Sequence, residues 1–168
     1  MKPQNAKKTN HKQRNHIMLK PIYISRKVLN ANEITSWARA QGFRNVVEDD
    51  DMHVTIAYST EPVNHRDFKP VTGIINNKTT GGRELKLLGE KSDTLVLTIV
   101  SGFLKAEWDE CKEKGCSWSW PTYVPHVTLA YNSPLTNKTD IEPFEGTVRL
   151  GPQIIEDLNL DWDKKKSE

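Results

Sequence analysis

His53-Val54-Thr55-Ile56-Ala57-Tyr58 and His126-Val127-Thr128-Leu129-Ala130-Tyr131 are two copies of one hexapeptide, identical at five of six positions. Internal repetition constrains architecture before any single residue does. Side chains at i and i+2 of a strand share a face. Each copy is therefore expected to present its His and Thr together, while Val54, Ile56, Val127 and Leu129 face a core. The same alternation assigns Tyr58 and Tyr131 to the opposite face, as core or sheet-edge residues.

Working outward, a similar order of elements precedes each copy. Ahead of the first, Ile22-Tyr23-Ile24 is β-prone, and Asn30 is placed as an N-cap with Glu33 in capping-box position. Ile34, Trp37 and Ala38 form an apolar stripe and Gly42 a stop, so the spacing predicts a helix over 31–41. Glu48-Asp49-Asp50-Asp51 reads as a solvated turn. Ahead of the second copy, the apolar run from Thr94 to Val100 suggests a buried central strand. Ser101 then caps a helix to about Lys114, with Phe103, Leu104, Trp108 and Cys111 inward and Gly115 at its end.

Between the halves lie β-prone runs near 71–76 and 85–89, with turn chemistry at Asn76-Asn77 and Gly81-Gly82. The stretch 146–162 reads as two strands separated by Gly151-Pro152. Strands and helices mix without a regular βαβ beat, which favours an α+β fold with mainly antiparallel sheet.

A chain of 168 residues suits one domain of ordinary size. Residues 1–20 carry six basic side chains (Lys2, Lys7, Lys8, Lys12, Arg14, Lys20) and no acid. The chain as a whole has 24 basic and 22 acidic residues, so everything beyond that head is net acidic. The head reads as a flexible, solvated arm, and the acidic body argues against long nucleic acid as a ligand. No apolar run approaches the roughly 20 residues that span a bilayer, and the start lacks a secretory core. A cytoplasmic location without membrane contact is the expectation. Cys111 and Cys116 read as two reduced thiols in or beside a helix. No feature calls for an obligate protein partner.

The repeated residues suit phosphodiester chemistry. Cleavage through a neighbouring 2′-hydroxyl needs one group to take the hydroxyl proton and another to protonate the departing oxygen. Histidine serves both tasks because its ordinary pKa lies near 6.5. Threonine hydroxyls donate to the phosphate oxygens on which charge accumulates. A lone His-x-Thr is a weak signal, but two copies in matched contexts form a phosphate clamp that needs no metal or other cofactor. The acids that would complete a hydrolytic metal site are not evident at tight spacing. His11, His16 and His65 fall outside the repeat and are expected at the surface.

The paired His-x-Thr strands resemble the signature of the 2H phosphoesterase superfamily. The resemblance implies a two-lobed, LigT-like α+β fold, with mainly antiparallel sheets forming a central cleft flanked by helices. It covers a single domain over residues 21–162, leaving 163–168 as a charged tail. It further implies that His53 and His126 are the proton-transfer pair and that Thr55 and Thr128 are phosphate ligands. Tyr23-Ile24-Ser25-Arg26, the segment from Asp51 to Ser59, and Glu156 with Asp161-Trp162 are similar to bacteriophage anti-CBASS cyclic-nucleotide phosphodiesterases. That narrower likeness implies cyclic di- and trinucleotides as partners, in the host bacterial cytoplasm during infection, with Tyr23, Glu156 and Trp162 holding the nucleotide.

Trp118, Trp120 and Tyr123 cluster just before the second motif, on a stretch stiffened by Pro121 and Pro125. Trp120 is a candidate base contact, although Trp118 and Trp120 fit equally as one face of a strand packed on a core. Two further readings of the whole chain stay open: a 2′,3′-cyclic phosphodiesterase acting on RNA ends, and a non-catalytic cyclic-nucleotide sponge.

Overall fold

The computed structural model describes residues 19–133 and 140–160. Most of the basic arm, His11, His16, Trp162 and the 163–168 tail lie outside the described residues. Two antiparallel sheets are formed. The first has four strands in the order β2-β1-β7-β3: β1 (Leu19–Val28), β2 (His53–Asn64), β3 (Ile75–Asn77) and β7 (Val148–Asp157). The second has three in the order β4-β5-β6: β4 (Leu85–Leu88), β5 (Thr94–Thr98) and β6 (His126–Tyr131). Helix α1 (Ala31–Ala40) joins β1 to β2, and α2 (Gly102–Glu113) joins β5 to β6. The architecture is the expected α+β, two-lobed arrangement, with β1 beginning at Leu19, inside the stretch read as an arm.

The duplication extends to detail. In each half a strand leads into a helix that stops at a left-handed glycine, Gly42 at φ 91° and Gly115 at φ 102°. Only glycine occupies that region without a Cβ penalty. The chain then returns as a motif strand paired with the strand that preceded the helix, β2 on β1 and β6 on β5. Both motif strands end up at the edges of their sheets, and these edges touch.

Each lead-in segment crosses to the other half. Before β2, Val47 N donates to Leu129 O and Tyr131 N to Asn45 O, so residues 45–47 run along the edge of β6. Before β6, Ser117 exchanges hydrogen bonds with Ser59 and Glu61. Tyr123 Oη donates to Thr55 O at 2.8 Å, laying this second lead-in along β2. Unpaired edges are thus covered by the opposite lobe.

Several local expectations are corrected. Asn30 makes no capping hydrogen bond. Its Nδ2 donates to Thr147 O and its Oδ1 accepts from Arg149 N, pinning the helix start to β7. Helix α1 holds without the cap because Ile34 and Ala38 are fully buried. One buried Ile side chain contributes about 1.5–3 kcal/mol, whereas a lost cap costs about 1 kcal/mol. In α2 the Ser101 cap does form, accepting from Leu104 N. Leu104 and Cys111 are buried as expected, but Phe103 is 74% exposed, one position off the inward stripe.

The acidic turn is a single 3₁₀ turn, Asp49–Asp51, whose Asp49 carboxylate accepts from Thr35 Oγ1 at 2.6 Å. His65 is not a free surface residue. It is largely covered and faces Asp157 Oδ1 at 3.5 Å. Residues 148–157 form one strand rather than two. A register shift between Arg26 and Val28 takes up Gly151-Pro152 as a bulge, which absorbs the proline's missing N–H.

That bulge serves the core. It turns Gly151 O toward Arg26, whose Nη1 donates to it and to Gly73 O at 2.7 Å each. The Arg26 guanidinium, 1% exposed, also forms a two-toothed pair with Glu107 of α2 at 3.0 and 3.1 Å. A sheet strand of the first half is thereby bonded to the helix of the second. Cys111 and Cys116 are free, buried thiols at the end of that helix.

Candidate active site

The site forms where the edges of β2 and β6 meet. Along β2 the burial alternates through His53, Val54, Thr55 and Ile56, with Val54 and Ile56 fully buried. The same holds for β6, with Val127 and Leu129 fully buried. The sequence therefore places His53 and Thr55, and His126 and Thr128, together on the outward faces.

Both imidazoles are anchored alike. His53 Nδ1 lies 2.6 Å from Asp51 O, and His126 Nδ1 lies 2.8 Å from Val124 O. A carbonyl only accepts, so Nδ1 carries the hydrogen in each ring. Nε2 is left as the nitrogen free to take or give a proton. Each ring is held from the residue two positions earlier, so the repeat duplicates tautomer as well as sequence. Burial lowers the pKa of His126, partly countered by the Val124 carbonyl and reinforced by repulsion from His53. The two imidazoles therefore sense each other, and burial favours the neutral form of His126.

Thr55 is the more strongly held of the two threonines. Tyr23 Oη lies 2.8 Å from its Oγ1, while Tyr123 Oη donates to its backbone oxygen. Burial is the main reason that the Tyr23 pKa is raised, with the neighbouring Glu156 carboxylate adding to it. Burial likewise raises Tyr123. Both phenols stay protonated, and that of Tyr123 donates to the Thr55 carbonyl. Tyr123 is fixed in turn by Trp108, stacked at 5.4 Å with planes 5° apart.

Tyr23 stands opposite both Tyr58 and Glu156 in register, so these three form a cross-strand row on β2, β1 and β7. Its ring also meets that of His53 edge-on, 6.2 Å between centroids. Trp120 lies on a bend rather than a strand, 52% exposed, with its ring 5.6 Å from Tyr58. Trp118 turns inward against Trp108 and Tyr123. Tyr23 thus links Thr55, His53, Tyr58 and Glu156, and Trp120 stands beside Tyr58, while His126 lies within electrostatic reach of His53 and Thr128 follows it two residues on along β6. Trp162 falls outside the described residues.

The two tyrosines of the repeat do not lie where strict alternation puts them. In β1–β2, Ile24 pairs with Ala57 but Ser25 pairs with Thr55, leaving Ile56 as an extra residue. In β5–β6, Leu95 pairs with Ala130 but Val96 pairs with Thr128, leaving Leu129 extra. A bulge resets the phase of side chains beyond it. Ile56 and Ala57 both face inward, as do Leu129 and Ala130. Tyr58 and Tyr131 consequently join His and Thr on the outward face of their strands. The two adjacent apolar residues inside an otherwise alternating strand were the signal.

Among the described residues, no cluster of three or more His, Cys, Asp or Glu side chains is placed to hold a metal. No helix among them is long and apolar enough to cross a membrane.

Known proteins of this kind fall into two groups, by fold and by sequence. The crystal structure of E. coli LigT complexed with NADP+ superposes with a TM-score of 0.55 at 13% identity, covering 82% of this chain and 86% of that one. A second crystal structure, of a phosphoesterase, gives 0.54 at 16% identity over 82% and 87% of the two chains. At such identities the likeness establishes the fold, that of the LigT-like 2H phosphoesterases.

Sequence relatives are narrower. An anti-CBASS protein Acb1 of Caulobacter sp. (strain RHG1) is 34% identical over 153 residues, 89% of this chain but 24% of its own length. The chain thus spans about a quarter of that longer relative. The anti-CBASS protein Acb1 of Enterobacteria phage T4 is 28% identical over 144 residues, covering 84% of this chain and 90% of the T4 protein. The family model described as anti-CBASS protein Acb1 matches residues 20–165, both motifs included, and the chain belongs to that family.

Proposed function

We propose that this protein is a metal-independent phosphodiesterase that opens the 3′–5′ linkages of cyclic di- and trinucleotide second messengers such as 3′,3′-cGAMP. Its work would be done in the bacterial host cytoplasm, where it lets a phage evade CBASS immunity. Family membership supports the biological setting. The observation that supports the chemistry is the matched pair of His/Thr sets, each imidazole tied through Nδ1 to a carbonyl with its Nε2 left for proton transfer, and the two rings within electrostatic reach of each other.

The step balances with this chain's own groups. One imidazole Nε2 takes the proton from a ribose 2′-hydroxyl as its oxygen forms a bond to phosphorus. The bond from phosphorus to the 5′-oxygen breaks, and the other imidazolium protonates that leaving oxygen. Thr55 and Thr128 donate to the non-bridging oxygens, where charge grows in the transition state. His126, whose pKa burial lowers, is suited to start neutral as the base. Tyr23, Glu156, Trp120 and Trp162 are the candidate nucleotide contacts, with aromatic rings stacking on bases and the carboxylate accepting from a base edge.

The test is turnover in excess EDTA with 3′,3′-cGAMP, a 2′,3′-cyclic mononucleotide and RNA oligomers offered in parallel. Loss of the cyclic dinucleotide with little action on RNA is expected. Preferred action on 2′,3′-cyclic ends would move the reading to RNA processing. Tight binding without turnover would make the protein a sponge.

A further inference from the structure

The paired bulges bring one more residue of each motif to the outward face, and they do so in both halves. The rings they deliver are Tyr58 on β2 and Tyr131 on β6, each beside the lead-in of the other motif. Tyr58 lies midway along β2, five residues on from His53 and next to the lead-in of the second motif. Its ring meets Trp120 at 5.6 Å and Tyr23 at 6.3 Å. Tyr131 stands in the reciprocal position, at the far end from His126 and against the lead-in of the first motif. Its backbone N–H donates to Asn45 O, its ring is 44% exposed, and it lies within electrostatic reach of Asp51 and Tyr23.

A bulge costs ladder hydrogen bonds, and a fold that needed only a core would keep the alternation and bury these rings. Both strands instead place Ile-Ala or Leu-Ala inward together and turn the phenol out beside the phosphate ligands. Two aromatic groups flank one clamp, as two nucleobases flank one scissile phosphate. We propose that Tyr58 and Tyr131 seat the two bases on either side of the cleaved linkage, Tyr58 jointly with Trp120 and Tyr131 beside Asp51. This inference rests on the cyclic-oligonucleotide reading above and adds where its bases sit.

Stacking loss typically weakens binding about tenfold or more per base. The experiment measures KM for 3′,3′-cGAMP and the inhibition constant of inorganic phosphate, a base-free occupant of the clamp, in Tyr58→Leu, Tyr131→Leu and the two Tyr→Phe variants. Each Leu variant is expected to raise KM about tenfold while phosphate inhibition stays within about twofold, and each Phe variant to restore most of the loss. Unchanged KM in the Leu variants overturns the inference and leaves the enzyme reading intact. So does a parallel loss of phosphate inhibition and melting temperature, which would make the rings structural props. A wild-type protein that neither binds nor cleaves any cyclic dinucleotide brings down the proposed function, and this inference with it.

Discussion

Tyr23 Oη and Thr55 Oγ1 share a hydrogen bond across 2.8 Å. Burial keeps the phenol protonated, so a neutral hydroxyl partner holds the Thr55 hydroxyl in one orientation. A neighbour that only packed against Thr55 would leave the hydroxyl rotor free. Tyr23→Phe keeps the ring and loses the hydroxyl. We expect kcat for 3′,3′-cGAMP to fall about tenfold, the scale of one hydrogen bond to a phosphate ligand, with KM changed far less. An unchanged kcat would show that Thr55 works without its hydroxyl partner and leave Tyr23 a nucleotide contact alone.

His53→Ala and His126→Ala each remove one proton-transfer group. A positioned acid or base contributes about 10²–10⁴-fold, so each variant should lose turnover on that scale while still binding the cyclic dinucleotide in calorimetry. Because the two act in one step, the double variant should be little worse than either single one. Turnover that survives either substitution undiminished would refute the two-histidine mechanism.

The pH dependence follows from the buried imidazole. With its pKa held below the ordinary 6.5 by burial, His126 remains neutral under mildly acid conditions. The acid limb of kcat/KM should therefore fall below pH 6.5, and His126→Ala should erase it. The sign for stability is the same: below 6.5 the unfolded chain takes up this proton before the folded one does. The contribution of His126 to stability is thus present above that pH and lost as pH falls. Thermal melts between pH 5 and 8 check this, and a melting temperature rising toward pH 5 would contradict it.

Arg26 and Glu107 set the stability of the interface between the halves. Removing one member of a buried ion pair leaves the other uncompensated and costs about 3–5 kcal/mol. Arg26→Ala should show that loss in urea unfolding. Arg26→Lys should recover little of it, since an ammonium cannot serve Glu107 through two nitrogens while also reaching Gly73 O and Gly151 O. A loss below about 1 kcal/mol in Arg26→Ala would mean that the site relaxes around the deletion.

The repeat made the two motif strands, the four catalytic candidates and both glycine-stopped helices legible in the sequence. These are local patterns, and local physics decides them. What escaped depended on partners distant in the chain. Asn30 has the chemistry of a cap, but Thr147 and Arg149 compete for the same side chain and win. Gly151-Pro152 has the chemistry of a break, yet pairing on both flanks carries the strand through it as a bulge. Tyr58 and Tyr131 were assigned to the wrong face because alternation counting presumes an unbroken ladder. The register shifts that move them exist only against β1 and β5. Trp118 and Trp120, equivalent by spacing, separate into an inward and an outward ring because no strand forms there.

The crossing of the lead-in segments has a consequence for how such a molecule is assembled. Residues 45–47 cover β6 and residues 117–123 cover β2, so each half supplies the other's missing border. A half-length chain on its own would carry an open border and half a clamp. The last strand, β7, returns to pair with β1, so the first sheet also waits for the end of the chain. Neither border closes, and neither His/Thr set gains its counterpart, until nearly the whole chain is present.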